Sequence, residues 1–215
     1  FGEGLLFDIN FVPLQMTSPE LVYENRTAEL LAFPLNHRVP TFGFLIREKM
    51  PLYNVHKDAI TRYGLSVPEI GALKRGEDVV RPAGRLTEPC PENDYRPQSG
   101  SDEPMVIPFS EAAYLPYQPR SYAYCSDTAP FPELSQWIKG ATLLYHEATF
   151  PSEMAEKTHH STTLQAAATA LDAGVGRLIV GHYSSRFPSV DFYLDQIRTI
   201  FPDSYLAHDG DVFEI

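Results

Sequence analysis

The stretch from His160 to His182, HSTTLQAAATALDAGVGRLIVGH, decides the fold class, because it joins the clearest helix of the chain to a short apolar strand. Ser161 or Thr162 can cap the start of the helix, and Gln165 lies three residues after Thr162. Gly174 can end it. Four apolar residues recur at helical spacing, and we expect them to form its buried face: Leu164, Ala167, Ala168 and Leu171. A helix followed by a buried strand is typical of an α/β layered domain.

The same alternation of strand and helix continues on both sides of this stretch. Upstream, strands predicted over 122–125 and 141–145 flank a short helix over 133–138 that ends at Gly140. Downstream we expect a buried strand over 178–180 and then a helix over 190–201, with Leu194 and Ile197 facing inward. A closing hairpin is expected to pair residues 205–207 with 212–215 around Asp209-Gly210. The C-terminal part, residues 120–215, is therefore predicted to be the α/β half of a domain.

The N-terminal part favours sheet. We expect strands over 5–12, 20–23, 28–33 and 42–46, with a turn at Glu24-Asn25-Arg26. Asn54 can cap a helix that runs to Tyr63, and Ser66 with Glu69 has the spacing of a capping box for a second helix. From residue 81 to 119 prolines and glycines recur without periodicity, which predicts a surface excursion rather than a second core. The expected divisions are therefore 1–46, 47–119 and 120–215.

Composition sets limits on the class of protein. The 215 residues are 43% hydrophobic and 21% charged, with no apolar run of membrane-spanning length, which excludes a disordered tail and predicts a soluble globular protein without a membrane partner. Only Cys90 and Cys125 are present, and they lack paired spacing, so we expect a reducing compartment and a cytoplasmic location.

The net charge of −11 argues against a surface that is basic all over, but one segment differs. Residues 45–75 carry six cations against three anions, a local charge of +3: Arg47, Lys49, Lys57, Arg62, Lys74 and Arg75. Such a segment can dock an anionic polymer, and on charge alone an ordinary solvated insertion explains it equally well.

Three residues follow directly on predicted strands, where α/β folds place functional groups: His37, Asp127 and His182. Each alone is more simply a structural histidine or a turn aspartate. Together, imidazole and carboxylate are the ligand set of catalytic zinc, and one carboxylate can bridge two metals.

Two further clusters follow the same pattern. His146-Glu147-Ala148-Thr149 ends a strand, and His160-Ser161-Thr162 opens the best helix. Bracing and capping are the simpler roles, but a hydrogen bond from His160 to Glu147 would hold that imidazole as a general acid. After His182, the run Ser184-Ser185-Arg186 can clamp a phosphate, or it can form a turn with a surface arginine.

The order of these motifs resembles tRNase Z, the tRNA 3′-processing endoribonuclease family of the metallo-β-lactamase superfamily. The resemblance covers nearly the whole chain. It rests on PLNHRVPTFGF around His37, on Ser126-Asp127-Thr128, on GHYSSR from 181 to 186, and on His146-Glu147-Ala148-Thr149-Phe150 with His160-Ser161-Thr162, the last two being motifs that mark this family within the superfamily.

The resemblance implies an αββα sandwich with a protruding arm, and two zinc ions. His37 would bind the first zinc, His182 the second, and Asp127 both, so that metal-activated hydroxide attacks a phosphodiester of precursor tRNA and releases the 3′ trailer. Glu147 would orient His160, the proton donor to the leaving 3′ oxygen. The resemblance also implies that Arg186 and Ser184 bind the substrate phosphate. The six cations of residues 45–75 would form the tRNA exosite, and His146 and Thr128 would support the site structurally. A homodimer is also implied.

Two differences from the family affect this interpretation. The family's His-x-His-x-Asp-His motif, which supplies most zinc ligands, is absent from these residues, so we expect a C-terminal part that is inactive alone. The arm also lacks the family's Gly-Pro element. A phosphodiesterase acting on small phosphodiesters and a metal-free, catalytically silent fragment that binds RNA are therefore the alternatives.

Overall fold

A seven-stranded mixed sheet organises the larger of the two units into which the chain divides. The computed structural model describes residues 10–82, 104–150, 158–186 and 191–215. Residues 1–48 and 120–215 form the sheet unit, and residues 49–119 form the insert unit.

The described residues contain eleven strands: β1 (Glu20–Glu24), β2 (Ala28–Pro34), β3 (Phe42–Glu48), β4 (Asn54–Val55), β5 (Val79–Arg81), β6 (Met105–Ile107), β7 (Ala113–Tyr114), β8 (Ser121–Cys125), β9 (Leu143–Glu147), β10 (Arg177–Gly181) and β11 (Ser204–Leu206). Within the same residues lie six helices: α1 (Lys57–Tyr63), α2 (Val67–Lys74), α3 (Phe109–Ala112), α4 (Pro132–Trp137), α5 (Thr163–Ala173) and α6 (Asp191–Ile200). None of these helices is long and apolar enough to cross a membrane.

Strand directions in the sheet unit decide where the site lies. The order is β1-β2-β3-β8-β9-β10-β11. β8, β9, β10 and β11 run parallel to one another, whereas β3 is antiparallel to both β2 and β8. β2 therefore runs in the same direction as β8, β9 and β10, and the carboxyl ends of these four strands meet at one edge of the sheet.

Helices α4, α5 and α6 pack on one face of this sheet and form the main core. The strands contribute Leu144, Leu178 and Val180, all with less than 1% of their surface exposed, and α6 contributes Ile197 and Tyr193. The expected strands over 20–23, 28–33, 42–46, 122–125, 141–145 and 178–180 are confirmed within a few residues. Residues 5–9 of the predicted strand over 5–12 lie outside the described residues, and residues 10–12 form no strand. The helix predicted over 190–201 is present as α6, and residue 190 lies outside the described residues.

The caps of α5 are confirmed, but only one residue of its predicted buried face, Ala167, is buried. Thr162 and Gln165 form the capping box, with bonds of 2.8 and 3.1 Å, and Gly174 ends the helix with a φ of 62°. Leu164 and Leu171 are 40% and 56% exposed, and Ala168 is exposed too. The residues that face inward with Ala167 are Thr163, Ala166, Ala170 and Ala173. Small side chains let the helix backbone approach the sheet closely, so the alanine stripe is buried and the leucines lie at its flank.

Two other local predictions are wrong. Residues 212–215 form no strand, and β11 pairs in parallel with β10 rather than in a hairpin. Asn54 lies in β4 instead of capping a helix, and His56 is the N-cap of α1. The turn at residues 24–26 is confirmed, because the Asn25 side chain accepts hydrogen bonds from the backbone of residues 27 and 28.

The insert unit has a hydrophobic core of its own, which corrects the prediction that residues 81–119 add none. Its buried residues are Ala59, Leu65, Leu73, Val79, Ile107 and Ala112. Ile107 and Ala112 belong to the proline-rich segment. The capping box of Ser66 and Glu69 is present at the start of α2, and Arg81 pairs with the Glu69 carboxylate at 2.7 Å.

Candidate metal centre

Four loops at the carboxyl edge of the sheet bring the predicted site residues together. His37 lies three residues after β2, Asp127 two residues after β8, and His182 directly after β10. Glu147 is the last residue of β9, and His160 lies on the segment that leads into α5. The site is assembled there because these strands share one direction.

The Asp127 carboxylate lies between two imidazoles. Its Oδ1 is 3.3 Å from His182 Nε2, and its Oδ2 is 4.0 Å from His37 Nε2. The His182 side chain is half exposed, the Asp127 side chain is 31% exposed, and the His37 side chain is nearly buried. Each oxygen of one carboxylate thus faces a different histidine, in the arrangement that the sequence predicted for a bridging ligand.

The His160 ring lies between the other two imidazoles. It stacks on His182 with a centroid distance of 5.6 Å and meets the His37 ring edge-on at 5.0 Å. Donor atoms of His37, Asp127 and His160 all lie within 4.8 Å of one another. His160 therefore adjoins the metal-binding group and belongs to the candidate ligand set by distance.

Glu147 is the centre of a buried hydrogen-bond network. Its side chain is fully buried. Oε1 accepts from the backbone N–H of Thr128 at 3.1 Å and of Ser161 at 2.8 Å, and it lies 3.0 Å from His160 Nδ1. A buried carboxylate is stable only when it is well hydrogen-bonded, and these contacts provide that. The hydrogen bond predicted between Glu147 and His160 is present.

Thr149 completes this network and is the residue whose role the sequence analysis missed. Its hydroxyl donates to Glu147 Oε2 at 2.7 Å, and its backbone N–H donates to the same oxygen at 2.9 Å. The hydroxyl oxygen also lies 3.2 Å from His160 Nδ1. Thr149 ends the motif that begins at His146, so the signal was present, but only the fold shows that its hydroxyl reaches both partners.

Thr128 and Ser161 connect the loops on which the site is built. The Ser161 hydroxyl donates to the Thr128 carbonyl at 2.7 Å, which explains why Thr162 rather than Ser161 caps α5. The Thr128 hydroxyl accepts from the backbone N–H of Asn36 at 3.1 Å. The loops after β2 and β8 and the start of α5 are thereby held together.

His146 is a buried imidazole. Its Nδ1 donates to the Glu147 carbonyl at 2.7 Å, and burial lowers its pKa. Nε2 has no hydrogen-bond partner among the described residues. His146 thus braces the end of β9 and does not reach the other imidazoles.

Two site residues have left-handed backbone conformations. His159 has a φ of 59° and His182 a φ of 62°. The His159 carbonyl accepts from His37 Nδ1 at 2.9 Å, which leaves His37 Nε2 free toward Asp127. Strain of this kind in non-glycine residues is concentrated at functional sites, because surrounding contacts must maintain it.

The proposed phosphate-binding residues lie beside the cluster in sequence. The Ser184 backbone N–H donates to the Thr149 carbonyl at 3.1 Å, and the Arg186 N–H donates to the Ser184 hydroxyl at 3.4 Å. Arg186 is exposed, and its guanidinium makes no ion pair within the described parts of the chain. Among the described residues, Arg186 makes no hydrogen bond or ion pair with the imidazoles of His37, His160 and His182.

The six cations of residues 45–75 divide between the two units. Arg47 lies in β3, and its guanidinium pairs with Glu29 at 2.8 Å. The other five belong to the insert unit: Lys49, Lys57, Arg62, Lys74 and Arg75.

The donor set fits zinc. Imidazole nitrogens and carboxylate oxygens are its usual ligands alongside thiolate, and here each oxygen of Asp127 faces one imidazole, as two ions bridged by a carboxylate require. The second nitrogens of His37 and His160 are held by the His159 carbonyl and by Glu147, the kind of support that orients ligating histidines. The sequence predicted three ligands, His37, Asp127 and His182, so two zinc ions would need further ligands.

Comparison with known proteins finds relatives that carry the name implied by the motif resemblance. The chain is 34% identical to a protein named ribonuclease Z from Bacteroides thetaiotaomicron over 213 residues, which is 98% of this chain and 61% of that protein. It is 35% identical to ribonuclease Z from Bacteroides fragilis over 98% of this chain and 64% of that protein. The chain thus spans slightly less than two thirds of these curated relatives. No family model matches it.

The solved structures share the fold. The metallo-β-lactamase fold protein YhfI from Bacillus subtilis superimposes with a TM-score of 0.54, at 15% identity, covering 94% of this chain and 55% of that protein. The expected fold class is therefore confirmed.

Proposed function

Since this chain is a ribonuclease Z homologue with the metallo-β-lactamase fold, we propose that the protein is a zinc-dependent endoribonuclease that removes the 3′ trailer from precursor tRNA. The observation that carries the proposal is Asp127, whose two carboxylate oxygens face His37 and His182, beside an imidazole held by a buried glutamate.

His37, Asp127 and His182 would hold the metal, together with ligands outside this set. Bound zinc would supply Lewis-acid activation of water and would neutralise charge on the scissile phosphate. Arg186 and Ser184 would bind the substrate phosphate, because a guanidinium and a hydroxyl together match its geometry and charge. This role is supported by the exposure of Arg186, whose guanidinium has no ion-pair partner among the described residues.

His160 would donate a proton to the departing 3′ oxygen. Glu147 and Thr149 engage its Nδ1, so Nε2 is the nitrogen left to carry the transferred proton. Glu147 acts on His160 and does not touch the reacting atoms, which makes it a positioning residue.

The proposed substrate follows from the names of the relatives. The family resemblance suggests two further properties, the oligomeric state and the cellular location. We expect a homodimer and a cytoplasmic location. Sedimentation velocity of the purified protein tests the first, since a dimer has twice the mass of the chain, and fractionation of the native cells tests the second.

The deciding experiment measures zinc content and precursor-tRNA cleavage on the same preparation. We expect about two zinc ions per active site in the natural protein that contains this sequence. Because the three predicted ligands do not complete two zinc sites, we expect the 215 residues alone to be inactive. His160→Ala should retain zinc and slow cleavage by roughly 10²–10⁴-fold. Loss of zinc in that variant would instead assign His160 to the ligand set with His37 and Asp127. Hydrolysis of a small phosphodiester without tRNA cleavage would overturn the proposed substrate.

A further inference from the structure

A groove on the insert unit combines two aromatic rings with two amines. Its volume is about 460 Å³, and we call it the Tyr114 groove. Its lining includes the rings of His56 and Tyr114, the apolar residues Ile60 and Ile70, and the side chains of Lys57 and Lys74. All of these residues lie within residues 49–119, so the groove is complete in one unit.

The two lysines differ from neighbouring cations in having no ion-pair partner. Arg62 pairs with Asp58 at 3.1 Å, and Arg75 pairs with Glu77 at 2.8 Å. Lys57 and Lys74 make no ion pair within the described part of the chain, and both are exposed. Within the described part of the insert unit, Lys57 and Lys74 therefore offer positive charge that no described carboxylate neutralises.

The aromatic rings are placed by a short β-ladder. β4 pairs with β7, so that Asn54 lies opposite Tyr114, and the His56 N–H donates to the Ala112 carbonyl at 2.9 Å. The two ring centroids are 4.8 Å apart at an angle of 38°. His56 is the N-cap of α1, but its side chain makes no capping bond, and Tyr114 is 46% exposed. Two exposed rings are thus held together next to two free amines.

We propose that the Tyr114 groove binds a single nucleotide, with the base stacked on Tyr114 and His56 and the phosphate between Lys57 and Lys74. Aromatic side chains bind bases of any sequence through their faces, and amines bind phosphate as point charges. A volume of about 460 Å³ is in the range of small-molecule sites. Apolar contact with Ile60 and Ile70 adds to the affinity for a base over a bare phosphate.

The nucleotide can come from a single-stranded part of an RNA or from a free mononucleotide. Only the RNA source depends on the proposed function. The groove variants and the metal-site variant Asp127→Asn lie in different units, so the two proposals can fail separately.

The test is fluorescence anisotropy with the 215-residue chain and fluorescein-labelled hexa-adenylate, at several salt concentrations. Replacing Lys57 and Lys74 by glutamine should weaken binding and reduce the slope of log K against log salt by about 0.7, since the two lysines share one phosphate and each phosphate contact contributes about 0.7 on single strands. Arg62→Gln with Arg75→Gln removes the same charge outside the groove and should change both quantities less.

The ring is tested by Tyr114→Leu against Tyr114→Phe. The leucine variant should bind about five- to a hundredfold more weakly, whereas phenylalanine keeps the stacking face and should bind as the unaltered chain does. If AMP displaces the oligonucleotide, the ligand is a free nucleotide. If AMP does not displace it, the ligand is a nucleotide within an RNA strand.

Equal weakening by the arginine pair and the lysine pair would overturn the proposal, as would unchanged binding by Tyr114→Leu. Asp127→Asn should bind the oligonucleotide normally, whether or not precursor tRNA is cleaved. If the protein cleaves precursor tRNA but the groove does not bind the oligonucleotide, the groove proposal fails. If the groove binds the oligonucleotide but precursor tRNA is not cleaved, the proposed function fails.

Discussion

Glu147 and His160 form a hydrogen bond of 3.0 Å in which the carboxylate is fully buried and the imidazole side chain is only 13% exposed. The carboxylate is held in place before any ligand arrives, because two backbone N–H groups and Thr149 donate to it. Such a pair sets the orientation of His160 at no cost during the reaction.

Replacing Glu147 by glutamine should therefore affect both folding and function. The glutamine amide has one acceptor oxygen where the carboxylate has two, so some of the buried groups that donate to Glu147 lose their hydrogen bonds. We expect the free energy of unfolding to fall by about 1–3 kcal/mol. Cleavage of precursor tRNA should fall by roughly 10²–10⁴-fold. Urea denaturation and single-turnover cleavage measure the two effects. Glu133→Gln, an exposed change in the first turn of α4, is the matched control and should alter neither. A fully active Glu147→Gln enzyme would contradict the positioning role.

Asp127→Asn should remove bound metal. An amide is a poor bridging ligand, so zinc per active site should fall from about two to one or fewer and cleavage should be lost. Elemental analysis after dialysis measures the metal, with Asp172→Asn on the exposed side of α5 as the control of equal charge. Full zinc content with full turnover in Asp127→Asn would exclude the bridging role.

Thr149 offers a subtler test of the same network. Thr149→Val keeps the shape of the side chain but removes the hydroxyl that contacts Glu147 and His160. We expect kcat to fall about 10-fold or more with KM unchanged, as for loss of a hydrogen bond to a charged group. Thr149→Ser restores the hydroxyl and should restore kcat. Equal loss in both variants would show that the methyl group matters instead.

Glu69 makes the stability of the insert unit depend on pH. Its hydrogen bond from Arg81 lowers its pKa from 4.5 to about 2. Because the folded pKa is depressed, this contribution is complete above about pH 4.5 and is lost as the pH falls toward 2. Glu69→Gln should reduce the free energy of unfolding by about 1–2 kcal/mol at pH 6 and by less at pH 3.

Urea unfolding followed by circular dichroism at both pH values measures this effect. Glu77→Gln is the control, because Glu77 pairs with Arg75 on the exposed surface, where ion pairs contribute little. The same loss at both pH values in Glu69→Gln would contradict the assigned titration.

Local interactions were predictable from the sequence. The capping boxes of Thr162 with Gln165 and of Ser66 with Glu69 are contacts between residues three positions apart, and both are present. The buried face of α5 was not predictable from periodicity, since two leucines and a row of alanines were both available. The sheet decides between them, because only the alanine row lets the backbone come close.

The same distinction applies to the site. His37, Asp127 and His182 were recognisable by their motifs and by their positions after strands. Their meeting depends on β2 running parallel to β8 and β10, which follows from the antiparallel β3 between them. The second role of Thr149 and the choice of Ser161 as a donor to Thr128 also required the folded chain.

By itself, the sequence predicted the fold class, the residues of the candidate site and the helix caps, because motifs and caps are patterns within a few residues of one another. Tertiary structure alone decided the partner of β11 and the separate core of the insert unit. The physical reason is that strand pairing and burial depend on which distant residues become neighbours, whereas a cap joins residues that are close along the chain.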